Sequence, residues 1–97
     1  MLDLASFAGV FLEGCDFSGS SLRQADFSGA TLTDARFGES DLAEANLAGA
    51  RLNGADLRGA KLRGLDVGKA TSFTGIKVSE SEVAELVGPL GIRVFPG

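Results

Sequence analysis

The sequence has no histidine, no tryptophan and no tyrosine, and Cys15 is its single cysteine in 97 residues. The common zinc ligands and the usual nucleophile–base pairs are therefore missing. An enzyme is not expected, and neither is a bound metal or cofactor. There is also no run of eighteen apolar residues, and the first residues lack the basic start and apolar core of a signal peptide. These absences predict a cytoplasmic protein without a membrane partner, and the length predicts one domain.

What the sequence does have is a five-residue repeat from Ala5 to Lys69, kept for thirteen units without an insertion. The large members are Phe7, Leu12, Phe17, Leu22, Phe27, Leu32, Phe37, Leu42, Leu47, Leu52, Leu57, Leu62 and Val67. The smaller members, two residues earlier, are Ala5, Val10, Cys15, Ser20, Ala25, Ala30, Ala35, Ser40, Ala45, Ala50, Ala55, Ala60 and Leu65. A period of five matches neither an α-helix nor a plain strand.

Members two residues apart point to the same side of a short extended segment, so each unit is a flat piece followed by a corner. Glycine holds the last position in eight of the thirteen units, as a tight turn favours. Identical corners produce stacked coils that bury both inward series. Cys15 lies in the inward series, so we interpret it as a buried packing thiol.

The pattern resembles the pentapeptide-repeat family, most closely in the units 25–29, 45–49 and 55–59. This resemblance implies an all-β fold, a right-handed quadrilateral β-helix of about three coils over residues 1–70. With four units per coil, Phe27 would stack over Phe7, and Phe37 over Phe17 on the opposite side. The first coil would present an open β-edge, with Phe11 either packed over its rim or part of a contact surface.

Charge is uneven along the predicted rod, at −6 over residues 1–44 and +4 over residues 45–77. Four acidic residues are expected to surround the second coil: Asp34, Glu39, Asp41 and Glu44. They are either ordinary solvated charges or a surface that imitates the phosphates of DNA for a DNA-binding protein. Asp16, Arg36 and Asp56 should stack as a ladder on one side. The basic residues of the third coil are dispersed without interleaved aromatics, so direct nucleic-acid binding is not expected.

The phase fails from Ala70, which predicts the end of the regular coil and a separate segment at 71–97. Ser79 and Glu82 have the spacing of a capping box before a helix at about 80–88, ended or bent by Gly88-Pro89. The predicted helix carries an apolar stripe, and an apolar tail comes after it.

This C-terminal region resembles that of the gyrase-binding, quinolone-protection subgroup of the family. The resemblance implies a homodimer joined end to end, a rod that imitates DNA, and DNA gyrase as the partner. It places the dimer contact at Val83, Leu86, Val87, Leu90, Ile92, Val94 and Phe95. The same residues could instead form a cap within one chain. Two functional hypotheses therefore stay open: a DNA-mimicking gyrase regulator, or a short or engineered repeat scaffold with no topoisomerase partner.

Overall fold

The computed structural model describes residues 2–91, which form a four-sided solenoid of 39 × 25 × 20 Å with a helical segment at its C-terminal end. Parallel bridges join residues twenty apart, as in Ser6–Asp26 and Asp26–Asn46, so one coil takes four pentapeptides. We number the sides by their inward residues. Side 1 carries Phe7, Phe27 and Leu47; side 2 Leu12, Leu32 and Leu52; side 3 Phe17, Phe37 and Leu57; side 4 Leu22, Leu42 and Leu62.

The inward positions form the core. In the second and third coils every large inward residue is buried, and the small inward residues between them are buried as well. Ser40, a polar member of the small series, is also buried, and its hydroxyl donates to the carbonyl of Phe37 at 2.7 Å. The prediction of two inward series is confirmed.

The phenylalanines stack as expected for four units per coil. The rings of Phe7 and Phe27 on side 1 lie 5.1 Å apart and nearly parallel, and those of Phe17 and Phe37 on side 3 lie 5.3 Å apart. Phe27 meets Phe37 edge-on across the interior at 5.9 Å. Aromatic rings thus fill the first two coils from opposite sides, in the stacked and T-shaped arrangements that such rings prefer.

Each corner is a hydrogen-bonded turn, as where the amide of Val10 donates to the carbonyl of Phe7 at 3.1 Å. The third residue of each turn has positive φ, which is why glycine is common there. Five corners hold another residue in this conformation: Leu4, Gln24, Asp34, Glu39 and Glu44.

Asp or Asn just before the large inward residue stabilises many of these turns. Its side-chain oxygen accepts the amide two residues on, as Asp26 does from Ser28 at 2.9 Å. The same bond is made by Asp16, Asp41, Asn46, Asp56 and Asp66. Since Asn46 makes it too, the turn needs an acceptor but no charge.

The coil does not end at residue 70. A 3-10 helix at Val67–Lys69 takes up one extra residue, and the chain then bridges back in a register of twenty-one, at Arg51–Ser72 and Asp56–Lys77. Phe73 thereby occupies the large position of side 2, where the uninterrupted phase had pointed to Ser72. The first part of the segment that was predicted to be separate, at 71–97, is therefore a further, partial coil that extends to Lys77.

The described part of the C-terminal segment, after the partial coil, has a 3-10 helix at Glu80–Glu82, the α-helix α1 at Val83–Val87, and a 3-10 helix at Gly88–Leu90. The predicted capping box is wrong. The Ser79 side chain makes no bond to the helix; its hydroxyl oxygen accepts the amide of Gly59 from the coil above at 3.0 Å. A tertiary donor thus takes the place of the local one and ties the segment to the solenoid.

At the other end, Phe7, Leu12 and Phe17 of the first coil are only partly buried. The side chain of Phe11 is 74% exposed, so the interpretation that it packs over the rim is wrong. Among residues 2–91, no helix is both long and apolar enough to cross a membrane.

Candidate partner-binding surface

Three of the four predicted acidic residues lie on successive corners of the solenoid. Asp34 turns the chain from side 2 to side 3, Glu39 from side 3 to side 4, and Glu44 from side 4 to side 1. Their φ angles are 59°, 56° and 59°, a conformation that costs a non-glycine residue roughly 1–2 kcal/mol. We call these three residues together with Asp41 the acidic belt.

The corner below each of these acids is a glycine. A Cβ atom at Gly54 would collide with a carboxylate oxygen of Asp34, and one at Gly64 would lie 2.9 Å from Cγ of Glu44. At Gly59 the same atom would lie 3.2 Å from Cγ of Glu39. The acidic side chains therefore lean over glycines that leave them room, and all three remain exposed.

Asp41 lies on the flat part of side 4, between the corners of Glu39 and Glu44. It is half-buried and accepts the amide of Ala43 at 3.1 Å. The structure thus brings three members of the belt to side 4 and leaves Asp34 one corner away.

Cations interrupt the belt and lie directly below it. Arg36, on side 3 between the corners of Asp34 and Glu39, pairs with Asp16 at 3.1 Å. A backbone β-bridge joins Lys61, in the coil below, to Asp41. The acidic surface is therefore one coil high, and its lower border is basic.

The predicted ladder on side 3 forms by backbone bridging from Asp16 to Arg36 to Asp56, and continues to Lys77. Its ion pairs are not all between neighbouring coils. Asp56 pairs with Arg58 of its own turn at 2.7 Å, and these hydrogen bonds lower the pKa of the Asp56 carboxyl to about 2.

Sequence reasoning missed a second cluster, at the top of side 4. The carboxylate of Asp3 accepts from the hydroxyl of Ser21 at 2.5 Å and from the guanidinium of Arg23 at 2.9 Å. These hydrogen bonds, that of Ser21 foremost, lower the pKa of Asp3 to about 2. The twenty-residue spacing between Asp3 and Arg23 was the available signal.

The predicted dimer residues divide into three groups. Leu86 is 5% exposed and belongs to the solenoid core, so within this chain it serves the cap that was the alternative interpretation. Val83 and Val87 are half-buried, and Leu90 is 39% exposed with its side chain over Gly68. Ile92, Val94 and Phe95 lie outside the described residues. A dimer contact stays a prediction for this set.

Cys15 is half-buried rather than fully buried, because its coil has no coil above it among the described residues. Within residues 2–91, no three His, Cys, Asp or Glu side chains come together as metal ligands would. The acidic belt thus offers a charged surface.

A family model for pentapeptide repeats matches the chain with eight copies, over residues 2–38, 25–64 and 40–71. The chain belongs to the pentapeptide-repeat family. Its solenoid is therefore the right-handed β-helix of that family. No curated protein matches the sequence.

Several solved pentapeptide-repeat structures resemble this one. A trypsin-treated form of QnrB1, described as a plasmid-mediated fluoroquinolone resistance protein, has a TM-score of 0.78 and 26% identity, and the match covers 97% of this chain and 45% of that one. Full-length QnrB1 gives 0.76 and 25%, covering 92% and 41%. A pentapeptide repeat protein of the Arabidopsis thaliana thylakoid lumen gives 0.64 and 36%, covering 77% and 59%. The chain spans less than half the length of QnrB1.

Proposed function

We propose that this protein is a non-enzymatic, cytoplasmic interaction protein that dimerises through its C-terminal segment and binds DNA gyrase as a mimic of DNA. The observation that carries the proposal is the likeness to QnrB1, which extends over 97% of the chain. The acidic belt is the proposed contact, because three of its four carboxylates, those of Asp34, Glu39 and Glu44, are exposed on consecutive corners of a rod about as wide as a DNA duplex.

The belt can be tested without disturbing its backbone. Gln24 adopts φ 56° at an equivalent corner, so glutamine is accepted there. We expect the triple variant Asp34→Asn, Glu39→Gln and Glu44→Gln to fold normally and to lose any effect on gyrase supercoiling that the wild-type protein has.

The matched control removes three acids elsewhere, as Glu13→Gln, Glu80→Gln and Glu85→Gln. It has the same net charge and keeps the belt. If both triple variants lose the effect equally, the belt is not the contact.

The dimer is tested separately by molecular mass in solution, measured by sedimentation. Leu90→Glu places a charge on the half-exposed end of the C-terminal segment and should convert a dimer to a monomer. Phe11→Glu makes the same change at the opposite end of the rod, where the side chain is 74% exposed, and should leave the mass unchanged. A wild-type monomer would contradict the dimer, whatever the gyrase assay gives.

A repeat scaffold without a topoisomerase partner is the second candidate. It is favoured by the basic border below the belt, where Arg58, Lys61 and Arg63 face solvent. A phosphate-like surface should be acidic over its whole length. A wild-type protein that neither inhibits nor protects gyrase at stoichiometric concentration would support the scaffold.

A further inference from the structure

We propose that Asn53-Gly54 is a latent site of spontaneous deamidation, protected by the stacking of the coils and free to react when the last, partial coil opens. It is the single Asn-Gly or Asp-Gly pair in the sequence, and it lies at the corner between sides 2 and 3 of the third coil. The inference is independent of the proposed function.

The chemistry needs no partner except water. The backbone nitrogen of Gly54 gives up its proton and attacks Cγ of Asn53; the new C–N bond closes a five-membered succinimide as the Cγ–Nδ2 bond breaks and ammonia leaves. Water then opens the ring at either carbonyl, giving aspartate or isoaspartate. Glycine favours ring closure because it places no side chain beside the attacking nitrogen.

Several features make the pair reactive in principle. Asn53 is exposed, and Gly54 has no side chain. Asn46, the other asparagine, is followed by Leu47, whose side chain hinders the same attack. Asn46 is therefore an internal control within each sample.

The folded structure holds the reacting peptide unit from both sides. Its carbonyl, on Asn53, accepts the amide of Asp34 from the coil above at 2.9 Å. Its N–H, on Gly54, donates to the carbonyl of Thr74 in the coil below at 2.9 Å. Because Gly54 must lose this proton and the peptide unit must rotate toward the Asn53 side chain, neither step can occur while both bonds are made.

The carboxylate of Asp34 adds to this protection. It leans over Gly54 so closely that a Cβ atom there would collide with it. A negative charge beside Gly54 opposes the removal of a proton from the Gly54 nitrogen. The nitrogen can therefore react only when the corner has moved away from its neighbours.

Of these two hydrogen bonds, the one from Gly54 to Thr74 in the coil below opens more easily. Thr74 belongs to the partial coil that follows the 3-10 helix, and its neighbour Phe73 is 41% exposed, whereas Leu52 above it is 1% exposed. Segments with less buried apolar surface open at a lower free energy than the core. We therefore infer that deamidation records the opening of this coil.

The isoaspartate product would prevent reclosure in the same register. Isoaspartate routes the main chain through Cβ and adds one carbon between residues 53 and 54, which shifts the carbonyl that Asp34 uses. Either product also adds a negative charge below Asp34. An opened coil would thereby be marked permanently.

The test follows the full-length chain at neutral to mildly alkaline pH by peptide mapping and mass spectrometry, with isoaspartate as the readout. Four samples are compared: wild type, wild type in guanidinium chloride, Phe73→Ala and Phe11→Ala. Phe73→Ala loosens the last coil, and Phe11→Ala removes an exposed phenylalanine from the opposite end. Hydrogen exchange at Leu32 and Phe37 confirms that the second coil remains folded in both variants.

We expect modification at Asn53 and not at Asn46, fastest in the unfolded chain, intermediate in Phe73→Ala, and slow and equal in wild type and Phe11→Ala. The slowing in wild type should match the protection of the Gly54 amide in hydrogen exchange. Equal rates in folded and unfolded wild type would overturn the proposal, and so would equal rates in Phe73→Ala and Phe11→Ala. An Asn53→Gln chain should show no modification at this position; if it does, the assay is not reporting succinimide chemistry.

Discussion

Phe27 lies flat beneath Phe7, with ring centroids 5.1 Å apart and ring planes 9° apart, although the two residues are twenty positions apart in the sequence. Phe27 is completely buried, whereas Phe7 is only partly buried. The same residue type at the same place in the repeat therefore makes different contributions in adjacent coils.

Phe27→Ala should lower the free energy of unfolding by about 3–5 kcal/mol, because it leaves a cavity between two coils and removes both stacked and edge-on ring contacts. Phe7→Ala is the matched control and should cost less, since solvent already reaches its ring. Denaturant unfolding monitored by circular dichroism measures both. Equal losses would mean that the end coil is covered in solution.

Alanine substitutions at Gly14 and Gly54 test whether the Asp34 side chain requires a glycine below it, because the two glycines stack in one column with Asp34 between them. Gly14→Ala should cost about 1–2 kcal/mol, the strain of a Cβ at φ 71° in open space. Gly54→Ala should cost more, since its Cβ also meets the Asp34 carboxylate.

Adding Asp34→Gly to Gly54→Ala should bring the cost back toward that of Gly14→Ala. The comparison of melting temperatures in these variants isolates the contact. If Asp34→Gly leaves the cost of Gly54→Ala unchanged, the carboxylate has another orientation in solution.

The ion pair of Asp56 with Arg58 predicts a loss of stability in acid. The pKa of Asp56 is about 2 in the folded chain, below its ordinary value of 3.8, so the stabilisation is complete above pH 3.8 and is lost as pH falls toward 2. Asp56→Asn should flatten this part of the stability profile, because asparagine does not titrate. The turn should be kept, since asparagine still accepts the Arg58 amide, as Asn46 accepts that of Ala48.

The measurement is the melting temperature as a function of pH, at low and high salt. The variant and the wild-type protein should converge below pH 2, where the carboxyl group is protonated in both the folded and the unfolded state. Parallel profiles across the whole range would contradict the assignment.

Ser79→Ala should destabilise the C-terminal segment by about 0.5–1.5 kcal/mol, since the Gly59 amide loses its acceptor. Ser81→Ala is the control, because Ser81 is exposed and its hydroxyl contacts Glu82 of the same turn. Hydrogen exchange at Gly59 should increase in the first variant and remain unchanged in the second. Unchanged exchange at Gly59 in Ser79→Ala would contradict this hydrogen bond.

Much of the solenoid follows from the sequence alone. A strict period of five, with inward residues two apart and glycine at the turn, identifies the inward series, because each unit repeats one local geometry. The stacking of Phe27 on Phe7 follows once four units make a coil, which the resemblance to the pentapeptide-repeat family implies. The positions of Asp34, Glu39 and Glu44 on successive corners follow from the same counting. No tertiary information was needed for either.

The tertiary structure decided what happens where the period breaks. One extra residue in the turn Val67–Lys69 shifts the phase, and bridging to Arg51 and Asp56 restores the coil, which local sequence cannot reveal because the partners lie twenty-one residues away. Ser79 binds the Gly59 amide rather than its own helix for the same reason. Leu86 is buried because it packs against the core at the C-terminal end of the solenoid. Phe11 is exposed because nothing among residues 2–91 lies over its side chain. Sequence determined the repeating unit, and contacts between distant coils determined its ends.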